Sequence, residues 1–360
     1  MTWRGVRTVM VLELRQRVRT SRRYIGLAIV GLLCSGLLST VPVLASCGYI
    51  EDSPAITYRI LYDLSFCFVL GIGLIITPIL SATSINGDRA DATLAPLLAT
   101  ALRSQEIVVG KLLAAWGAAI AFLGVAAPFL LILTIAGGSH WQALLAHLVI
   151  LGVTLGAVCA IGLGFSSLTA RPSASAVLTY IVVAALTVGT PLATTIASSL
   201  VTGKQTVVTY RVDYTNSTDD KLVCRPDPDV ETREVTRTNR IWWMLAPNPF
   251  VALGDATAHA PIQPALDRHS VGNSLLTSTG LGVDSMRDPK PDRVIHNYCK
   301  GDSFYDDPFG SSTTNSRTKH LVFWPASLVA LAALGAGGVV VAGRRLRVPA
   351  GKLPRGVRLA

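Results

Sequence analysis

The chain has 360 residues, half of them hydrophobic and 15% charged, and Lys plus Arg exceed Asp plus Glu by 32 to 22. Soluble domains carry roughly a quarter charged residues and disordered chains are poor in apolar ones, so both classes are excluded. The positive surplus is clustered beside apolar segments rather than spread, which argues against a nucleic-acid partner and for membrane topology.

Taken in chain order, residues 1–23 hold seven arginines: Arg4, Arg7, Arg15, Arg17, Arg19, Arg22 and Arg23. Val6, Val9, Met10, Leu14 and Val18 fall on one side of a helix, with Glu13 and Arg17 interrupting that face. The segment reads either as an amphipathic helix lying in a lipid interface and guided by anionic headgroups, or as a solvated basic leader. Six apolar stretches follow over the rest of the chain: Tyr24–Ser46, Leu64–Thr83, Leu112–Ala136, Leu144–Thr169, Ala174–Leu200 and Leu321–Ala342. Each reaches the roughly 20 residues that a hydrocarbon core demands of a helix. None contains Asp, Glu, Lys or Arg. Leu44-Ala45-Ser46-Cys47 has the form of a lipoprotein cleavage box. The long basic leader, the long apolar run and five later spans favour an uncleaved first helix instead.

Orientation follows from Lys and Arg in the short loops. The leader, the loop 84–111 (Arg89, Arg103, Lys111), Arg171 and the tail 343–360 hold 17 of the 32 basic residues, all on one side of six crossings. The opposite loops, 47–60 and 137–143, carry Arg59 alone. Both termini are therefore expected in the cytoplasm.

The loop 84–111 has its own pattern. Asp88, Arg89 and Asp91 precede an apolar helical spacing at Leu94, Leu97 and Leu98. A polar turn, Arg103-Ser104-Gln105-Glu106, follows, and Gly110-Lys111 opens the third span. Such an element either receives force from a soluble partner or lies on its own bundle. Within the spans, Gly152, Gly156, Ala160 and Gly164 make a small-residue stripe, which marks a helix-packing face. Pro78, Pro128 and Pro191 each remove a backbone hydrogen bond that neighbouring helices must replace. His147 reads as a hydrogen-bonded packing histidine near a helix start.

Residues 202–320 form a long insert with 14 basic and 15 acidic residues. Its first part alternates polar and β-branched residues (205–214), which predicts a strand or hairpin. Residues 241–256 are apolar but Pro-broken and too short to span, and Trp242 and Trp243 favour a membrane interface. They predict an interfacial or re-entrant element, with Trp242, Trp243, Asn248, Pro249 and Phe250 serving as a gate or docking surface or as a simple stabilising insert. Residues 257–320, rich in Pro, Asp, Ser and Gly, read as irregular. Cys47, Cys224 and Cys299 would face an oxidising exterior, where Cys224–Cys299 is the natural disulfide within one domain. No cysteine or histidine spacing matches a zinc site, so no metal is expected. No phosphate-binding loop is present: Gly110-Lys111 lacks the upstream glycine and the following Ser or Thr. The Ser166 region lacks the glycine after a nucleophile, so no catalytic residue is assigned. The sequence thus predicts an all-α polytopic membrane protein of six transmembrane helices. Both termini are cytoplasmic and a long extracytoplasmic insert with some β structure lies between helices five and six.

Thr93-Leu94, Leu97-Leu98-Ala99-Thr100, Leu102, Glu106-Ile107-Val108 and Gly110-Lys111 together resemble the loop between spans two and three of the ABC-2 type permeases. These are the membrane subunits of bacterial ATP-binding cassette exporters. Ala92 and Ala101 stand where relatives carry glycine and proline; Glu13-Leu14-Arg15 is similar to the family's start, and Asn248-Pro249-Phe250 to a motif before its last span. The resemblance implies a permease in the cell membrane of a bacterium, working with a second permease copy or homologue and with nucleotide-binding subunits that carry ATP and Mg²⁺. It implies no cofactor on this chain, and a coupling helix at 88–103 that docks on the ATPase. A membrane-anchored receptor or envelope scaffold acting through the insert is the alternative reading.

Overall fold

The computed structural model of the chain describes residues 2–20, 54–90, 102–136, 141–213, 223–260, 275–298 and 318–346. The expected span Tyr24–Ser46, together with Cys47, Asp91, Thr93, Leu94, Leu97, Leu98 and Cys299, lies outside the described residues.

The described chain is mostly helical. An N-terminal helix α1 (Trp3–Thr20) is followed by α2 (Pro54–Ser81), the short α3 (Ser84–Ala90), α4 (Ser104–Ala136) and α5 (Trp141–Leu168). Then come α6 (Pro172–Ala184), a π-turn at Ala185–Gly189, and α7 (Thr190–Leu200). Five stretches are long and apolar enough to cross a membrane: Leu61–Ala90, Ser104–Ile135, Trp141–Leu168, Pro172–Leu200 and Trp324–Arg345. They correspond to the second through sixth stretches expected from composition. Pro172 opens α6 at its first turn, with Arg171 in extended backbone before it, as steric clash with a following proline dictates.

Helix α5 is the centre of the bundle: 67% of its apolar window is buried, against 6% for Pro172–Leu200. Its small-residue stripe explains why. A Cβ on Gly164 would stand 2.8 Å from the Cα of Gly338, and one on Gly338 would stand 2.5 Å from the carbonyl oxygen of Ala160. Helix α10 (Trp324–Arg345) therefore packs backbone to backbone on α5. The other half of the stripe meets α4, where Trp116 donates its indole N–H to the Gly152 carbonyl at 2.8 Å and covers Gly156. Small residues take the place that hydrophobic burial fills in water.

The insert contains a three-stranded sheet of order β2-β1-β3, formed by β1 (Thr202–Tyr210), β2 (Asp229–Thr236) and β3 (Arg293–Asn297). Strands β1 and β2 are antiparallel with Thr206 opposite Thr232, and β3 runs parallel to β1 with Val208 opposite Ile295. Residues 241–256 form neither a span nor one continuous element: a single 3-10 turn (Trp242–Leu245) leads into α8 (Pro249–Ala258). The expectation that 257–320 is irregular is corrected by α9 (Leu275–Met286) and β3. Helix α9 escapes a reading by composition because what seats it is a glycine. A Cβ on Gly280 would collide with the carbonyl of Gly254, so the glycine lets α9 cross α8 in contact. Both helices join the bundle core. Ala252, Leu253, Ala256 and Leu276 share one apolar cluster with Leu61, Phe66, Leu70, Leu130 and Leu151.

Candidate functional site

The residues flanking 91–101 converge on a buried charge cluster. On α1, Val6, Val9 and Glu13 fall one turn apart, and all three are buried. Glu13 thus belongs to the packing face that its charge seemed to interrupt. That face lies on α4, and Gly110 makes the approach possible, since a Cβ there would stand 2.6 Å from the Cβ of Val9. Next to Gly110 on α4, Lys111 is 1% exposed. Its ammonium forms ion pairs with Glu13 and, at 2.6 Å, with Asp88 of α3, and donates to the Ser84 carbonyl at 3.2 Å. Arg17 lies 3.8 Å from Glu13 and donates to the Leu80 carbonyl at the end of α2 at 2.8 Å. Among the described residues, two carboxylates and two cations balance. Balance matters here because a buried ion without a partner costs several kcal/mol, on the order of 3–5 when one member of a pair is removed.

Glu106 makes the second tie. It accepts from the backbone N–H of Arg103 at the start of α4 at 3.1 Å, and also from the backbone and hydroxyl of Thr2. A carboxylate in the first turn both fills orphan N–H groups and suits the helix dipole. Asp88, Glu106, Gly110 and Lys111 are thus brought together with Glu13, and Arg103 contributes its backbone while its side chain is exposed. Arg89 is half-buried and takes no part in the ion pairs.

At the insert end, Asn248 is 2% exposed and caps α8, its Oδ1 accepting from the N–H groups of Phe250 and Val251. Pro249 fills the first helical position, where its missing N–H costs nothing. The Asn248 amide donates to the Thr187 carbonyl at 2.9 Å and to Thr190 Oγ1 at 3.0 Å. Thr187 is the residue four before Pro191, so Asn248 supplies the donor that the proline lacks. Phe250 packs on the bundle core. Trp242 stands edge-on to Phe323 at 5.8 Å with the Arg287 guanidinium 4.8 Å over its ring, whereas Trp243 is 61% exposed. The two tryptophans do not form one surface patch.

Other helix starts are closed by side chains from elsewhere. Asp255 of α8 accepts from the backbone N–H groups of Phe323 and Trp324 at 2.8 and 2.9 Å, opening α10. Burial holds the Asp255 carboxyl above the usual carboxylate range, against the pull of those N–H groups and of His259 and Arg287. Asp63 accepts from Leu276 at the start of α9. His147 lies between Tyr62 (2.8 Å) and Thr257 (3.0 Å), a packing histidine joining α2, α5 and α8. Cys224 is disulfide-bonded, to a cysteine outside the described residues. Among the described residues no group of His, Cys, Asp and Glu is placed to hold a metal ion.

Five stretches long and apolar enough to cross a membrane, joined by buried polar ties, fit a multi-pass membrane protein. Residues 8–222 match the model of the ABC-2 family transporter proteins, and the chain belongs to that family. It is therefore an ABC transporter permease, whose relatives generally work with an ABC ATPase subunit. Among curated proteins, none matches it.

Proposed function

We propose that the chain is the membrane-spanning permease subunit of an ABC exporter in a cell membrane. In this reading it forms the path together with a second permease copy and is driven by a separate nucleotide-binding subunit that holds ATP and Mg²⁺. Both termini lie in the cytoplasm, and residues 91–101 with their flanks are the element that docks on the ATPase. The observation that carries the reading is the Glu13–Lys111–Asp88 cluster. It ties the N-terminal helix, the segment entering the loop and the helix leaving it into one unit. A force applied between Ala90 and Leu102 then reaches α2, α3 and α4 together, because packed elements move as bodies between discrete arrangements. The spans carry little charge, which suits a lipid-like or amphipathic cargo.

The test is co-purification. The chain expressed from its own genomic neighbourhood should carry an ATP-binding-cassette subunit through detergent extraction. Replacing Leu94, Leu97 and Leu98 with aspartate should reduce that subunit at least about tenfold, the loss of roughly 1.4 kcal/mol or more of docking energy. Unchanged recovery overturns the docking assignment, and absence of any ATPase from the wild-type preparation overturns the reading.

A further inference from the structure

Two residues before Asp88, on the same short helix α3, Asn86 is fully buried. Every polar bond of its side chain leaves α3. Its Oδ1 accepts from the Ser166 hydroxyl of α5, and its amide donates to Thr169 Oγ1 at 3.1 Å and to Ser175 Oγ of α6 at 3.0 Å. Ser166 also accepts from the backbone N–H groups of Ile85 and Asn86 at 3.0 and 3.2 Å. Those are first-turn donors with no partner inside their own helix, so a hydroxyl of α5 serves as the cap of α3. The last turn of α2 closes with the Ala82 N–H on the Pro78 carbonyl, a turn at 82–83 separates α2 from α3, and Ser175 donates to the Ala82 carbonyl there. Helix α3 is therefore a separate piece, held on one side by Asp88 to Lys111 and Glu13, and on the other by Asn86 to α5 and α6.

We propose that Asn86 is the positioning residue through which displacement of α3 is passed to the α5–α6 hairpin. The inference rests on the coupling role assigned above to the loop that α3 enters. A neutral amide suits the task. It fixes three partners by direction, at about 0.5–1.5 kcal/mol net for each bond, yet it brings no charge into the bundle to be desolvated. Without it, the charged side of α3 still holds α1 and α4, but α5 and α6 keep only the Ser166 cap on the first N–H groups of α3 and the Ser175 bond to the Ala82 carbonyl. Sliding then replaces dragging. Loss of Asn86 should uncouple the hairpin while leaving the ATPase docked and turning over.

The experiment uses the full chain with its nucleotide-binding subunit in proteoliposomes. Spin labels replace Ile135, at the far end of α4, and Leu200, at the far end of α7; both sites are open, 72% and 80% exposed. In the wild type, Mg-ATP with vanadate shifts the distance distribution between the labels. In Asn86→Ala the ATPase is retained and turns over within about twofold of wild type, while the nucleotide-driven shift shrinks about fivefold or more, the range of ordinary coupling free energies. Thr169→Val, which keeps volume and removes one acceptor of the Asn86 amide, gives a reduction of about twofold and decides the matter if Asn86→Ala does not assemble. An Asn86→Ala or Thr169→Val chain that shifts as fully as wild type overturns the proposal alone. A wild-type chain that holds no ATPase, or shows no shift, overturns the coupling reading and the proposal with it.

Discussion

The loop end and the insert end of the molecule solve the same problem with different chemistry. At the loop end, α1, α3 and α4 meet through buried charge: Lys111 between Glu13 and Asp88, with Arg17 alongside. At the insert end, α8 and the π-turn of the fifth stretch meet through the neutral amide of Asn248. Neighbouring helix starts there are closed by Asp63 and Asp255 accepting backbone N–H groups. The difference is one of stakes. Removing one member of a buried ion pair strands the rest in a low-dielectric setting, whereas removing a neutral cap leaves groups that water or small shifts can satisfy in part. The loop end is thus built to be intact or broken. The insert end tolerates graded change.

That contrast can be broken in several places, and the largest effect belongs to the charge cluster. Lys111→Met removes the buried cation that Glu13 and Asp88 share, leaving Arg17 at 3.8 Å from Glu13, and should cost about 3 kcal/mol, read as a fall in the thermal midpoint of the detergent-solubilised chain. Adding Glu13→Leu should recover part of that loss, because the stranded charge goes with it. Close to it in size is Gly338→Leu. The new side chain meets the Ala160 backbone of α5, and overpacking of this kind costs typically 1–3 kcal/mol, with backbone contacts at the upper end. Asn248→Ala removes the cap of α8 and the donor to Thr187 and should cost about 1–2 kcal/mol; hydrogen exchange should rise locally around 185–191 and at the start of α8 before it rises elsewhere. Trp243→Ala, on an exposed side chain, should stay within about 0.5 kcal/mol. An effect as large as that of Asn248→Ala would show that the exposed indole is covered in the assembled protein.

Asp255 gives the comparison a pH axis. Its folded value is raised by burial, so the folded state holds the proton more tightly than the unfolded chain does. Stability is then greatest below the unfolded carboxylate value and declines as pH rises through the folded one. Thermal midpoints measured across that acid window should slope downward for the wild type at this site and flatten in Asp255→Asn. A slope that survives the substitution assigns the dependence to other carboxylates.

How much of this was legible in the sequence differs by element. Composition alone located the five stretches, since apolar runs of that length have few other uses. The small-residue stripe was legible as a packing face, and its partner, α10, shows matching glycines at Gly335 and Gly338. Pro191 and Asn248 are each visible as motifs, but the Asn248 amide answers the proline by donating to the Thr187 carbonyl, 61 positions away, and no local pattern records it. Glu13 was read as a flaw in an apolar face because its counterion, Lys111, is nearly a hundred residues away. Asn86 gave no signal at all: a polar residue in a polar loop looks solvated until three hydroxyls from α5, α6 and the turn between them are seen around it. Helix α9 is hidden by composition, since its buried face of Leu276, Gly280 and Val283 has at its centre a glycine that crosses Gly254. Local periodicity reports elements, and the ties between elements are long-range.

In the proposed function the buried charges at the loop end serve transmission rather than stability, and one variant tests that role directly. Replacing the cluster together, as Glu13→Leu, Asp88→Asn and Lys111→Met, removes every member of the Lys111 ion pairs at once. Such a change to uncharged side chains leaves Arg17 on the Leu80 carbonyl, and replacing a buried ion pair as a whole is often neutral or stabilising for the fold. The measurement is the Mg-ATP-driven distance change between α4 and α7 in the complex with the nucleotide-binding subunit. The expected result is a folded chain that keeps its ATPase and loses most of that change. A triple variant that responds to nucleotide as the wild type does would contradict it.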